Sequence, residues 1–128
     1  MKEKLQKLLN NSYSPYSKFR VAAIVTMKDA SEFYGVNVEN ASYGATICAE
    51  RSAIVSAISH GYKIGDFDSI AIMVDDENIS TCCFICRQLL VEFFSKDSTV
   101  VCFNNKGESK TYKISELCPH PFSIEDLK

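Results

Sequence analysis

Leu5, Leu8 and Leu9 recur at helical spacing among lysines and glutamates over residues 2–10, which predicts a short amphipathic helix. The stretch 11–17, Asn-Ser-Tyr-Ser-Pro-Tyr-Ser, breaks it with turn formers and a proline. Residues 19–27 and 32–38 are rich in β-forming side chains, and the polar Lys28-Asp29-Ala30-Ser31 between them predicts an antiparallel hairpin. From Thr46 the period changes. Ala49, Ala53, Ile54, Ala57 and Ile58 recur at helical spacing, with Thr46 as N-cap and Gly61 as stop, predicting a buried helix of about four turns.

Residues 69–74 read as a compact apolar strand, and 83–94 as a second helix with Ile85, Leu89, Leu90 and Phe93 facing inward. Strand, helix and strand in succession favour a parallel crossover. The short turn Asn105-Lys106-Gly107 between strands 98–104 and 110–114 can join only antiparallel neighbours. An α/β fold with five strands in a mixed sheet follows. Residues 116–128, with Pro119 and Pro121, read as a loop carrying at most one helical turn at 124–127.

Composition narrows the class. With 128 residues, 46% of them apolar and 11% aromatic, the chain has enough for one core, so residues 1–128 are expected to form a single domain. A net charge of -2, from 14 basic and 16 acidic side chains, offers no footprint for a phosphate backbone or an anionic membrane. Neither nucleic acid nor membrane is the expected partner. No apolar run approaches the roughly 20 residues that span a bilayer, and the first ten residues are unlike a signal peptide. A cytoplasmic protein is expected, and in that reducing compartment six cysteines are better read as thiols or metal ligands than as three disulfides.

Cys83-Phe84-Ile85-Cys86 puts two thiols at i and i+3, on one face of an opening helical turn and at chelating separation. Alone, the pair could be half of a structural zinc site, a redox couple or two inert buried thiols. Cys48 shifts the balance, because Thr46-Ile47-Cys48-Ala49-Glu50 also opens a helix and sets an acid two residues past the thiol. Three thiolates leave the fourth tetrahedral position free, as catalytic zinc sites do for water, and an acid beside that position is what hydrolysis needs. Two helix N-termini converging there favour thiolates. Three thiolates on a divalent cation still carry a surplus negative charge, for which Arg51 is the leading balancing cation and Arg87 the next.

Residues 37–51, Asn-Val-Glu-Asn-Ala-Ser-Tyr-Gly-Ala-Thr-Ile-Cys-Ala-Glu-Arg, resemble the signature of small homotetrameric cytidine deaminases. The likeness continues in Tyr13-Ser14-Pro15-Tyr16-Ser17-Lys18-Phe19-Arg20-Val21, in Cys83-Phe84-Ile85-Cys86-Arg87-Gln88 and in Glu116-Leu117-Cys118-Pro119. Zinc deaminases carry a His or Cys, a following Glu and a Cys-x-x-Cys. The resemblance implies a three-layer α/β/α fold, zinc on Cys48, Cys83 and Cys86, and Glu50 as the acid and base. It implies Asn37 and Glu39 on the ribose 3′-hydroxyl, the Ala49 backbone on the base and Phe19 lining the pyrimidine pocket. Tyr43 and Phe122 match positions that reach a neighbouring subunit's site, Phe122 to stack on the base.

Two positions depart from that family. It usually has Pro-Cys-Gly-x-Cys where this chain has Cys82-Cys83-Phe84-Ile85-Cys86, so a residue that stiffens the start of the helix and one that permits close backbone approach are both missing. Cys82 competes for the ligand assignment, and the i, i+3 spacing to Cys86 favours Cys83. Cys102 and Cys118 read as buried apolar residues, and neither His60 nor His120 has a motif context. The expected activity is zinc-dependent hydrolysis of cytidine or deoxycytidine to uridine or deoxyuridine and ammonia, in pyrimidine salvage. The alternatives are a zinc deaminase of another aminopyrimidine nucleoside, or a non-catalytic zinc-binding scaffold.

Overall fold

The computed structural model describes residues 1–127. Helix α1 (Lys2–Leu9) leads through a loop to β1 (Val21–Met27) and β2 (Glu32–Val36). A 3-10 turn (Tyr43–Ala45) precedes α2 (Ala49–Ser59), followed by β3 (Phe67–Val74), α3 (Phe84–Phe93), β4 (Thr99–Phe103) and β5 (Ser109–Lys113). A short α4 (Ile114–Leu117) and a second 3-10 turn (Ile124–Leu127) close the described chain.

The five strands form one mixed sheet in the order β2-β1-β3-β4-β5. Only β3 and β4 are parallel, joined by the α3 crossover; the other neighbours are antiparallel. The sheet lies between helices, which gives the three α/β/α layers. Ala22, Ile24, Ala71 and Met73 turn to Leu5 and Leu9 of α1, while Ala23, Val25, Ile70 and Ile72 turn to Ala53, Ile54 and Ala57 of α2 and Leu90 of α3. Strands buried on both faces read as continuous apolar runs, which is why β1 and β3 stand out in the sequence.

Four expectations need correction. Helix α2 starts three residues after Thr46, with Cys48 as its N-cap, and runs 11 residues. Ile47 is held extended by its pairing with Val38, through Val38 N–H to Ile47 O and Ile47 N–H to Val38 O, both 2.9 Å, so the helix cannot begin earlier. Gly61 does end it, at φ +96°, a conformation that disfavours any residue with a Cβ. Strands β1 and β2 are shorter than expected, because Asn37 and Glu39 bond Tyr13 of the loop after α1, Val38 pairs with Ile47, and Phe19 O is taken by the Asn37 side chain. Ile85 is 65% exposed, and Cys86 takes the inward position on that turn of α3. Ile114 opens α4 instead of ending β5; Glu116 caps that helix by accepting from the Lys113 amide at 2.9 Å.

Candidate active site

The starts of two helices meet beside the ends of the inner strands β1 and β3. Cys48 is the N-cap of α2 and Cys83 the N-cap of α3, so both residues are extended, and the Cys83 side chain also caps its helix. Cys86 follows one turn along α3, its amide donating to the Cys83 sulfur at 3.5 Å. Cys48 Sγ lies 3.8 Å from Cys83 Sγ, which lies 3.4 Å from Cys86 Sγ, and all three sulfurs fall within 4.8 Å of one another. Tetrahedral zinc with bonds of about 2.3 Å to sulfur requires sulfurs about 3.8 Å apart, so the donor set fits that ion in both chemistry and spacing. Cys82 is not part of it: its side chain is buried in the core between the sheet and α3.

The surroundings favour one negative charge, on Cys48. A hydrogen bond from the Cys86 thiol, helped by Cys83 and Arg51 and opposed by burial, draws the Cys48 thiol down to about 5. The Cys86 thiol, as donor, is correspondingly pushed up. Arg51 lies within reach of Cys48: its Nη2 donates to Thr46 O at 2.9 Å, and its Nε is buried with no protein partner.

A cavity of about 210 Å³ opens beside the thiols, walled by Phe19, Asn37, Cys48, Ala49, Glu50 and Thr81 among others. Glu50 is only 5% exposed there. Burial pushes its carboxyl above the usual carboxylate range; its own amide lowers it, and charge on Cys48 raises it further. An adjoining cavity of about 310 Å³ is lined by Tyr16, Ser17, Glu39, Tyr43 and Thr46, so Thr46 borders both.

Residues 1–103 match the family described as cytidine and deoxycytidylate deaminase zinc-binding region. The chain belongs to that family. It is 41% identical over 116 residues to a cytidine deaminase of Halalkalibacterium halodurans, covering 91% of this chain and 86% of that one. A probable cytidine deaminase of Dictyostelium discoideum is 45% identical over 119 residues, with 91% and 77% covered. Among solved structures, the cytidine deaminase of Burkholderia pseudomallei superposes with a TM-score of 0.89 at 37% identity over 94% of each chain. This chain is therefore a zinc-dependent deaminase, and the three-thiol cluster suits the metal its family binds.

The remaining predicted residues of this deaminase fall into two groups. Phe19, Asn37 and Ala49 line the cavity with Glu50, and Ala49, at the first position of α2, has an amide without an intrahelical acceptor. The Asn37 carboxamide is largely engaged by its own chain: Oδ1 accepts from Val21 N at 2.9 Å and from Ser12 Oγ, and Nδ2 donates to Phe19 O at 2.8 Å. Glu39 faces the adjoining cavity, accepting from the amides of Tyr16 and Ser17 at 3.0 and 3.1 Å and from the Ser17 hydroxyl. Those donors, the Ser17 hydroxyl first, hold its carboxyl below the ordinary value. Tyr43, 84% exposed, and Phe122, 58% exposed, do not line the Glu50 cavity.

Sequence reasoning passed over Ser12, Thr46 and Thr81 as parts of the site, since single hydroxyls carry no spacing signal. It also misplaced Arg87. That guanidinium donates to Cys82 O, Leu117 O and Thr81 Oγ1, not to a thiol.

Proposed function

We propose that this deaminase hydrolyses cytidine and deoxycytidine to uridine and deoxyuridine, releasing ammonia, with Cys48, Cys83 and Cys86 as the zinc ligands and Glu50 as the proton carrier. The observation that carries this reading is the buried Glu50 carboxyl in a cavity walled by the thiol cluster. Zinc in such a site supplies a Lewis acid that brings the pKa of a bound water to about 7.

The chain supplies the rest. Glu50 accepts a proton from the attacking water and delivers it to N3 of the pyrimidine, then takes the remaining proton of the hydroxyl added at C4 and delivers it to the departing amine. A carboxyl raised by burial suits a group that must both take and give protons near neutrality. Glu39 is pushed the other way, into a permanent acceptor, and two carboxyls driven apart by their surroundings divide the work. Glu50 moves protons, and Glu39 with Asn37 receives the ribose hydroxyl. The Ala49 amide faces the base and Phe19 packs on it.

The chain is further proposed to act as one domain, residues 1–128, within a homotetramer whose sites are shared. Tyr43 and Phe122 are large, exposed aromatics outside their own chain's Glu50 cavity, which suits a role in a neighbour's site. Gln88 Nε2 holds the Phe122 carbonyl at 2.6 Å and so sets where that ring is presented. Six free thiols suit a reducing cytoplasm and a role in pyrimidine salvage.

The test is cytidine turnover followed by absorbance on zinc-loaded protein, beside Glu50→Gln. The variant should keep its zinc and lose more than the about 10,000-fold that marks the upper end for one general acid or base. No turnover by the loaded wild type, or more than roughly a tenth of it surviving in the variant, removes Glu50 from this role. Co-refolding Glu50→Ala with Phe122→Ala should restore activity in mixed oligomers; silent mixed oligomers would place both residues in one chain's pocket.

A further inference from the structure

Cys83 sits at the end of a connection, residues 75–83, that has neither helix nor strand. Its first half is tied to the sheet ends, by Asp75 N–H to Arg20 O, Asn105 N–H to Asp76 O and Asn104 Nδ2 to Glu77 O, but among the described residues no such backbone tie to the sheet holds 79–83, and no proline lies there. Yet the metal cluster needs its sulfur held to a few tenths of an ångström. Beside the packing of Cys82 into the core, the polar restraint comes from one side chain. Arg87 donates through Nε to Cys82 O at 2.8 Å, through Nη2 to Thr81 Oγ1 at 2.6 Å and through Nη1 to Leu117 O at 2.9 Å. Its own amide donates to Cys83 O at 2.9 Å, so this residue touches each of residues 81, 82 and 83. The Phe84 ring, otherwise 74% exposed, covers the guanidinium at 4.4 Å.

We infer that Arg87, backed by Phe84, is a positioning residue that fastens the segment bearing Thr81 and Cys83 to the C-terminal end of α4. The inference rests on the proposed zinc-ligand role of Cys83. All three hydrogen bonds from the guanidinium go to uncharged oxygens, so its task is geometric, and charge balance at the thiols falls to Arg51, whose Nε is uncommitted. A planar fork can serve three acceptors at fixed angles; an ammonium on a flexible stem cannot. The two residues that set this chain apart from the family pattern meet here: Cys82 supplies a carbonyl to the fork, and Phe84 supplies the ring that shelters it.

The experiment measures zinc release from the loaded protein to a chromogenic chelator. Outer-shell changes of this kind typically weaken metal binding 10- to 100-fold. Arg87→Lys should therefore release zinc at least about tenfold faster than wild type. Phe84→Tyr should match wild type, and Phe84→Ala should fall between. A core variant with a matching drop in Tm, Val100→Ala, separates positioning from general loosening. Equal release from that control and Arg87→Lys, or wild-type release from Arg87→Lys, overturns the inference.

A second readout needs no metal. In zinc-free protein Arg87→Lys should speed exchange at the Cys86 and Arg87 amides, which donate to the Cys83 sulfur and carbonyl, and leave the amides of α2 unchanged; unchanged exchange at those two amides also overturns it. Should Arg87→Lys not fold, Phe84→Ala carries both measurements with the same expected directions. A wild-type protein that binds no zinc at Cys83 defeats the ligand assignment instead, and the exchange result then reads the brace by itself.

Discussion

The two helix starts that meet at the thiols are held by opposite means. Beneath α2, the backbone does the positioning: a Cβ on Gly35 would lie 2.3 Å from Ala49 O and 2.5 Å from Ala53 N, so the helix rests directly on strand β2. Ala49, Ala53, Ile54 and Ala57 bury that face, and Glu50 is carried into the interior with it. At α3, Cys83, Phe84 and Ile85 are exposed, and polar bonds from Arg87 supplement the packing of the buried Cys82 and Cys86. The contrast suits the proposed roles. A proton carrier that must reach both water and ring belongs on the element with the least freedom. The proposed metal ligand on the more exposed start depends instead on hydrogen bonds from Arg87 to keep its segment in place.

The largest expected effect comes from breaking the steric side. Gly35→Ala has no space without parting α2 from β2, and overpacking of this kind costs about 3 kcal/mol. The urea midpoint should fall accordingly, and activity should fall with it because Glu50 moves. An unmoved midpoint would mean that α2 does not rest on β2.

The two arginines sharpen the same comparison. Arg51 ties Thr46 O and keeps its Nε unpaired beside Cys48, whereas Arg87 spends its donors on uncharged oxygens. Arg51→Gln should retain zinc, lower turnover about tenfold and move the acidic limb of the pH–rate profile to higher pH. The Arg87 variants should leave that limb in place. An unshifted limb in Arg51→Gln would hand the electrostatic task to the helix N-termini.

A smaller effect separates ligand from neighbour. Cys82→Ala removes a core sulfur and should cost about 1 kcal/mol, with the metal kept. Loss of zinc in Cys82→Ala, together with its retention in Cys83→Ala, would reverse the assignment made from spacing.

What the sequence disclosed and what it concealed follow the same division. The five strands and the crossover were legible because β1 and β3 are buried on both faces and alternate with helical periods. Cys83 and Cys86 were legible because chelation fixes their spacing, and Cys48 with Glu50 because the motif is contiguous. The start of α2 was misread because Thr46 is a good local cap, and the Val38–Ile47 pairing that overrides it is not local. Ile85 was misread because Phe84, Ile85, Leu89, Leu90 and Phe93 allow more than one helical face, and only the thiol cluster decides which turns inward. The Arg87 brace depends on Leu117, thirty residues on, and no local pattern announces it.

The smallest effect concerns the two carboxyls. Glu39 is half-buried, and donors from Ser17 and Tyr16 lower its pKa from the ordinary 4.5, while the same contacts tie down the loop that carries Phe19. A group lowered on folding contributes stability that is complete above its unfolded value and is lost as pH falls through the folded one. The tie should thus be intact at neutral pH and loosen only below pH 4.5. In a pH titration by NMR, the Tyr16 and Ser17 amides should shift together with a midpoint below 4.5, and Glu39→Gln should abolish that shared step. Glu50, raised by burial, predicts the reverse displacement for the group that carries protons. A Glu39 midpoint at or above 4.5 would leave the two carboxyls on the same side of the ordinary value and remove the basis for giving them different tasks.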